Sequence, residues 1–195
     1  MIYPIGVLLA AGSGARFGSD KLLHPLPDGR LLGVAAAENL IAVMPDSIAV
    51  VRPGDSVLDS ALRELGYQVV VNADHASGIG SSLALGVRAT LDRKRGWVVA
   101  LADMPWIEPA TIRRVADSVA HGAALVAPGY RGRRGHPVGF SADWGERLAA
   151  LSGDAGARHL LASHRRELQL LPVADPGVLQ DVDTPEELLR IPGPV

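Results

Sequence analysis

Five short apolar runs in this chain carry no alternation of apolar and polar residues: "IGVLLA" (5–10), "SIAVVR" (47–52), "YQVVV" (67–71), "WVVALA" (97–102) and "AALVAP" (123–128). A strand with one wet face alternates, so runs this short and continuous predict strands covered on both faces. The segments between them, "LLGVAAAENLIAV", "SVLDSALRELG", "SSLALGVRATLDR" and "PATIRRVADSVAHG", have helical period and read as crossover helices. In the last of these, Pro109 stands at an expected first helical position, where a missing N–H is no loss. Strand and helix in alternation predict an α/β three-layer sandwich around a mainly parallel central sheet. With 195 residues, 48% of them hydrophobic, one core can be buried, and a single domain over 1–195 is expected.

After residue 129 the pattern changes. "YRGRRGHPVGF" is glycine-rich and basic, and reads as an irregular excursion or hairpin. "VDTPEELLRI" reads as a loop feeding a helix, because Thr184 and Glu187 have capping-box spacing around Pro185. No internal repeat or low-complexity block interrupts the chain.

Composition narrows the partners. A formal net charge of −2 offers no broad basic field for nucleic acid or an anionic membrane, so a small ligand is expected. The sequence holds no cysteine, which excludes disulfides, thiol nucleophiles and cysteine-ligated metals. "MIYPIGVLLAAG" lacks the basic flank of a signal peptide and is too short to span a bilayer, so a cytoplasmic protein is expected.

The first apolar run leads into "AAGSGARFGSDKLL", which concentrates glycines and two cations in one loop. Gly12, Gly14 and Gly18 give G-x-G-x-x-x-G, one residue longer than the dinucleotide fingerprint, and the second run ends in Arg52 and Pro53 where a ribose-binding carboxylate belongs. The P-loop pattern fails as well, since Ser19 and Asp20 separate Gly18 from Lys21 and leucine follows the lysine. Glycines still let backbone N–H groups converge on phosphate oxygens, with Arg16 and Lys21 as cations beside them. The bland alternative is a tight strand-to-helix turn with two solvated cations.

"LLAAGSGARFGSDKLL" resembles the N-terminal signature of the nucleotidyltransferase superfamily, and within it the chain is most similar to the molybdenum cofactor cytidylyltransferase family. "GIGSSLALGV" (78–87), "ALADMPWI" (100–107), "RGHPVGF" (134–140), "SGDAGARHLL" (152–161) and "DVDTPEEL" (181–188) follow in the family's order. The resemblance implies a Rossmann-like nucleotidyltransferase fold. It places Leu9, Ala10, Ala11 and Gly12 against the base and ribose, with the turn through Gly14 approaching the phosphates. Arg16 and Lys21 hold the triphosphate and stabilise charge during transfer. Gly80, Ser81 and Ser82 lie beside the base, and His136 and Pro137 line the acceptor side. Asp103 and Asp183 are the implied ligands of Mg²⁺.

Each position has a plainer reading. Asp103 suits a turn after a strand, although open α/β sheets bind ligands beyond the carboxyl ends of their strands, which is where it follows "WVVALA". Asp181 and Asp183 precede an expected helix, where carboxylates serve as caps. His159 and His164 are five apart and miss the i, i+4 ligand spacing, so the histidines other than His136 read as surface residues. Arg131, Arg133 and Arg134 suit either an acceptor phosphate or a solvated loop.

The chemistry implied is displacement at phosphorus. A phosphomonoester is largely dianionic near neutral pH, its second pKa being about 6, so alignment and charge neutralisation can suffice without a strong base. The resemblance supplies the identities: CTP donates CMP to the terminal phosphate of the molybdopterin-type cofactor, pyrophosphate leaves, and a molybdenum hydroxylase receives the product. Guanylyl transfer to the same cofactor, transfer to methylerythritol phosphate and transfer to a sugar phosphate use similar loops and remain alternatives. So does a non-catalytic nucleotide- or cofactor-binding chaperone. A hydrolase is disfavoured by the lack of G-x-S-x-G, and an oxidoreductase by the failed dinucleotide fingerprint.

Overall fold

The computed structural model describes residues 2–12, 17, 20–154 and 156–190. Its centre is an eight-stranded sheet. The strands are β1 (Ile5–Ala10), β2 (Ser47–Val51), β3 (Gln68–Val71), β4 (Trp97–Leu101), β5 (Leu125–Tyr130), β6 (Arg133–Arg134), β7 (Val138–Phe140) and β8 (Leu168–Pro172). They run in the order β3-β2-β1-β4-β7-β5-β6, with β8 added in parallel along β5. Pairing is parallel from β3 through β4. The helices are α1 (Leu32–Ile41), α2 (Ser56–Glu64), α3 (Ile79–Arg88), α4 (Pro109–Ala120), α5 (Gly145–Ala149) and α6 (Arg158–Ser163).

The absence of alternation in the apolar runs is explained by two cores, one on each face. Along β1, Leu8 and Ala10 enter a cluster with Leu32, Leu40, Leu58 and Ile112 of α1, α2 and α4. Ile5, Val7 and Leu9 enter another with Leu83, Val87, Leu148 and Leu161 of α3, α5 and α6. Both sides of the same strand are therefore dry, which is the three-layer sandwich expected from the sequence.

Two regions depart from the sequence reading. β3 is an edge strand, so its run is not covered throughout: Gln68 is exposed and Val71 keeps 51% of its surface. The basic segment after residue 129 does form a hairpin, β5 to β6, but the chain then enters the sheet as β7. This strand pairs antiparallel to β4 through Val99↔Val138 and to β5 through Leu125↔Phe140. Gly139 makes the insertion possible, since a β-carbon there would stand 2.6 Å from both Val119 and Val126. The helix expected in "VDTPEELLRI" is present as a 3-10 helix, Pro185–Arg190.

From β1 the chain winds through β2 to β3, then crosses by α3 to β4 on the other side of β1. The strand order thus reverses between β1 and β4. In open parallel sheets such a reversal leaves a crevice at the carboxyl ends of the two strands.

Candidate active site

The crevice is present. A cavity of about 450 Å³ opens beyond Leu9 of β1 and Leu101 of β4, with Gly12, Lys21, Ser82 and Asp103 on its wall. Ala11 lines it too, whereas Ala10 is buried in the opposite core against α1 and α4. Arg16 and Gly14 lie outside the described residues.

Lys21 opens a short 3-10 helix, Lys21–Leu23, whose buried Leu22 anchors it to the core. The lysine side chain is 11% exposed, and its Nζ donates to Asp103 Oδ2 (2.9 Å) and Asp183 Oδ1 (3.2 Å). Burial alone would depress the ammonium pKa, but the two carboxylates outweigh it and hold Lys21 above the usual lysine value. Asp103 follows β4 directly. Asp183 arrives from the far end of the sequence, tied down where the Val182 N–H donates to the Asp103 carbonyl (3.0 Å). Asp183, rather than Asp181, makes the contact with Lys21. The carboxyl of Asp181 is held above the usual carboxylate range by burial, with Asp103 and Asp183 adding to the effect.

Asp103 also keeps Oδ1 buried without a hydrogen-bond partner among the described residues. A buried, unsatisfied carboxylate oxygen is costly unless a cation or donor completes it. Two carboxylates form the hard-oxygen set that Mg²⁺ and Mn²⁺ accept when phosphates and waters fill the remaining positions. Among the described residues no group of three or more His, Asp and Glu is placed to hold a metal without such help.

The opposite wall is the start of α3. Gly78, at φ 105°, turns the chain into the helix in a conformation that glycine adopts without strain. A β-carbon on Gly80 would stand 2.6 Å from the Ser152 carbonyl, whose neighbour Gly153 accepts a hydrogen bond from the Gly80 N–H (2.9 Å). "GIGSS" and "SGD" are therefore one packed unit, which brings Asp154 to the cavity. Ser82 faces the cavity, but Ser81 is committed inward: its hydroxyl meets the carbonyls of Asp74 (2.9 Å) and Gly78 (2.8 Å).

Asn72 is a residue that sequence reasoning missed. It is buried at the end of β3, and its Nδ2 reaches Ser81 Oγ (2.9 Å) and Ser82 Oγ (3.0 Å) while Oδ1 accepts from the Asp74 N–H (3.0 Å). Arg52 is another. It follows β2 directly, hydrogen-bonds the Asp20 carboxylate beside Lys21, and stands 3.7 Å from buried Asp55. A polar residue at the carboxyl end of a parallel strand was the available signal for both.

His136 is not with this group. It lines an adjoining cavity of about 180 Å³ together with Arg134, Arg158 and the apolar floor of Val99 and Phe140; Leu9, Leu101, Ile79 and Asp154 border both spaces. Its Nδ1 is buried without a partner among the described residues. Burial, with Arg134 adding to it, pushes the imidazole down to about 4. Pro137 follows through a cis peptide and is buried.

Comparison with known proteins agrees with this geometry. Residues 6–168 match the model of the MobA-like NTP transferase domain. A nicotine blue oxidoreductase of Paenarthrobacter nicotinovorans is 35% identical, with 95% of each chain covered. The purine catabolism protein PucB of Bacillus subtilis is 32% identical over 95% of this chain and 94% of its own. A probable molybdenum cofactor guanylyltransferase of Thermococcus gammatolerans shares 38% identity over 54% of this chain and 51% of its own. The crystal structure of Rv0371c from Mycobacterium tuberculosis superposes with a TM-score of 0.81 at 31% identity, covering 97% of this chain and 98% of that one. Rv0371c has also been solved in complex with manganese. With its sheet reversal, glycine-rich loop and paired aspartates, the chain belongs to the MobA-like NTP transferase family and is a nucleotidyltransferase.

Proposed function

We propose that the protein transfers CMP from CTP to the terminal phosphate of the molybdopterin-type molybdenum cofactor, releasing pyrophosphate, with Mg²⁺ held by Asp103 and Asp183. The observation that carries the reading is the meeting of Lys21 with Asp103 and Asp183, the first two of which lie on the wall of the crevice between β1 and β4. Mg²⁺, when bound, supplies Lewis-acid polarisation of the phosphate oxygens. Leu9, Ala11 and Gly12 form the floor beneath the nucleoside, and Ser82 offers a hydroxyl to it. Lys21, with Arg16, offsets the charge that moves toward the departing pyrophosphate. The adjoining cavity with His136 receives the acceptor, whose dianionic phosphate attacks the α-phosphate and needs no base from the chain. The choice of CTP rests on the resemblance of "GHPVGF" and "GDAGAR" to the cytidylyl branch; guanylyl transfer is the nearest alternative. The reaction belongs to the cytoplasm, and a molybdenum hydroxylase takes the product. No helix among the described residues is long and apolar enough to cross a membrane.

One relative bears the name of an oxidoreductase, which keeps a redox ligand in view. Against it stand the extra residue in the glycine spacing and Arg52 at the end of β2, where a carboxylate would bind ribose. Thermal stabilisation separates the readings, because a ligand of the folded state raises the melting temperature by mass action. With Mg²⁺ and a panel of CTP, GTP, UTP, dTTP, ATP and NAD, CTP should stabilise the wild type selectively and Asp103→Ala weakly. Pyrophosphate should appear when the molybdenum cofactor is then added. Selective response to GTP reassigns the base, response to NAD alone revives a redox role, and binding without turnover points to a chaperone.

A further inference from the structure

The place a dication needs between Asp103 and Asp183 already holds a charge. Lys21 Nζ lies 2.9 Å from one carboxylate and 3.2 Å from the other, in a side chain with little exposure. A metal bound to those same oxygens would stand within a few ångströms of the ammonium, where two cations repel strongly in a half-buried site. Asp103 Oδ1, without a partner among the described residues, gives the metal a foothold that Lys21 does not use. Asp103 Oδ2 and Asp183 Oδ1 are the atoms the two cations contest. We propose that Lys21 is a displaceable internal cation, which holds Asp103 and Asp183 together before substrate arrives and yields them only when a triphosphate offers its ammonium another anionic partner.

Metal and nucleotide then enter as a coupled pair. The site without nucleotide is a cluster whose two negative charges are partly offset by Lys21, which lowers its affinity for free dications, so metal is held weakly where no phosphate awaits it. Arrival of the triphosphate draws Nζ away, ends its contacts with Asp103 Oδ2 and Asp183 Oδ1, and places Lys21 on the phosphates in one movement. The proposal rests on the reading of Asp103 and Asp183 as metal carboxylates, and its test keeps the two apart.

The experiment is a titration with Mn²⁺, following the free ion by its electron paramagnetic resonance signal, with and without CTP and without acceptor. Charge at the ligands tunes cation affinity, so Lys21→Met should bind Mn²⁺ in the absence of nucleotide about tenfold or more tighter than wild type. CTP should tighten Mn²⁺ binding markedly in wild type and much less in the variant. Asp103→Asn in the Lys21→Met background should remove the gain, which ties it to this site. If the methionine variant does not fold by circular dichroism, Lys21→Gln carries the same expectation. Equal or weaker binding by the lysine variants, with CTP still promoting Mn²⁺ binding in wild type, overturns the displacement while leaving the metal reading in place. No Mn²⁺ binding under any condition removes the metal reading and the displacement with it.

Discussion

The Glu187 carboxylate accepts the backbone N–H of Asp183 at 2.6 Å through Oε2, and the same oxygen accepts from the Thr184 N–H at 3.1 Å. This is the reaching-back half of a capping box, and it fixes the backbone that presents Asp183 to Lys21. Glu187→Ala should cost about 1 kcal/mol of stability in urea denaturation. It should also slow pyrophosphate release roughly tenfold, the scale of losing a group that orients a metal ligand, which is the role proposed for Asp183. Glu187→Gln retains an acceptor oxygen and should stay near wild type. An alanine variant with unchanged turnover would mean that Asp183 needs no such support.

Asn72 joins three segments, and its removal should be felt at two levels. Asn72→Ala leaves the Asp74 N–H and the Ser82 hydroxyl without the partner they have in the native protein, at a cost on the order of 2 kcal/mol. Because Ser82 lines the cavity, the variant should raise the KM for nucleotide more than it lowers kcat. A double-mutant cycle with Ser81→Ala should be non-additive, since Asn72 contacts Ser81 directly. Strict additivity would show that the amide and the hydroxyls act independently.

His136 ties stability to pH. Its imidazole is pushed from the ordinary 6.5 to about 4 in the folded chain, first by burial and then by Arg134. The folded state therefore binds fewer protons than the unfolded chain between these values, and stability rises with pH across that window. The contribution of neutral His136 is complete above about pH 6.5 and lost as pH falls toward 4, amounting to roughly 3 kcal/mol. His136→Gln, which does not titrate, should flatten the stability profile between pH 6.5 and 4 relative to wild type. Parallel urea-denaturation profiles for the two proteins would refute the assignment.

Much of this was legible in the sequence because it is local. β1, β2 and β4 are short apolar runs whose burial on both faces follows from their lack of alternation, and Asp103 is readable as the residue that follows one of them. β3 looks the same in sequence yet lies at the edge; only the order of strands decides that, and order is a long-range property. β7 gave no strand signal, being a short piece with glycine at its middle that gains its stability from partners on both sides. Lys21 stood out beside the glycines, but its meeting with Asp183, 162 residues away, depends on how the chain end returns to β4. Asn72 drew no reading from the sequence because a lone asparagine after a strand has no motif around it.

β7 runs against its neighbours, and this sets how the molecule can diversify. β1 and β4 deliver their trailing ends to the crevice, whereas β7 runs the other way, so His136 reaches the adjoining cavity on a segment that enters the sheet afterwards. The two adjoining cavities thus draw on different suppliers: the loops leaving β1 and β4 bring Lys21 and Asp103 to one, and the approach to β7 brings Arg134 and His136 to the other. Insertions or substitutions between residues 130 and 137 can reshape one supplier while the sheet register beneath the other stays fixed. The lining of the cavity around His136 can therefore be rewritten in a single hairpin without touching the wall that carries Lys21 and Asp103.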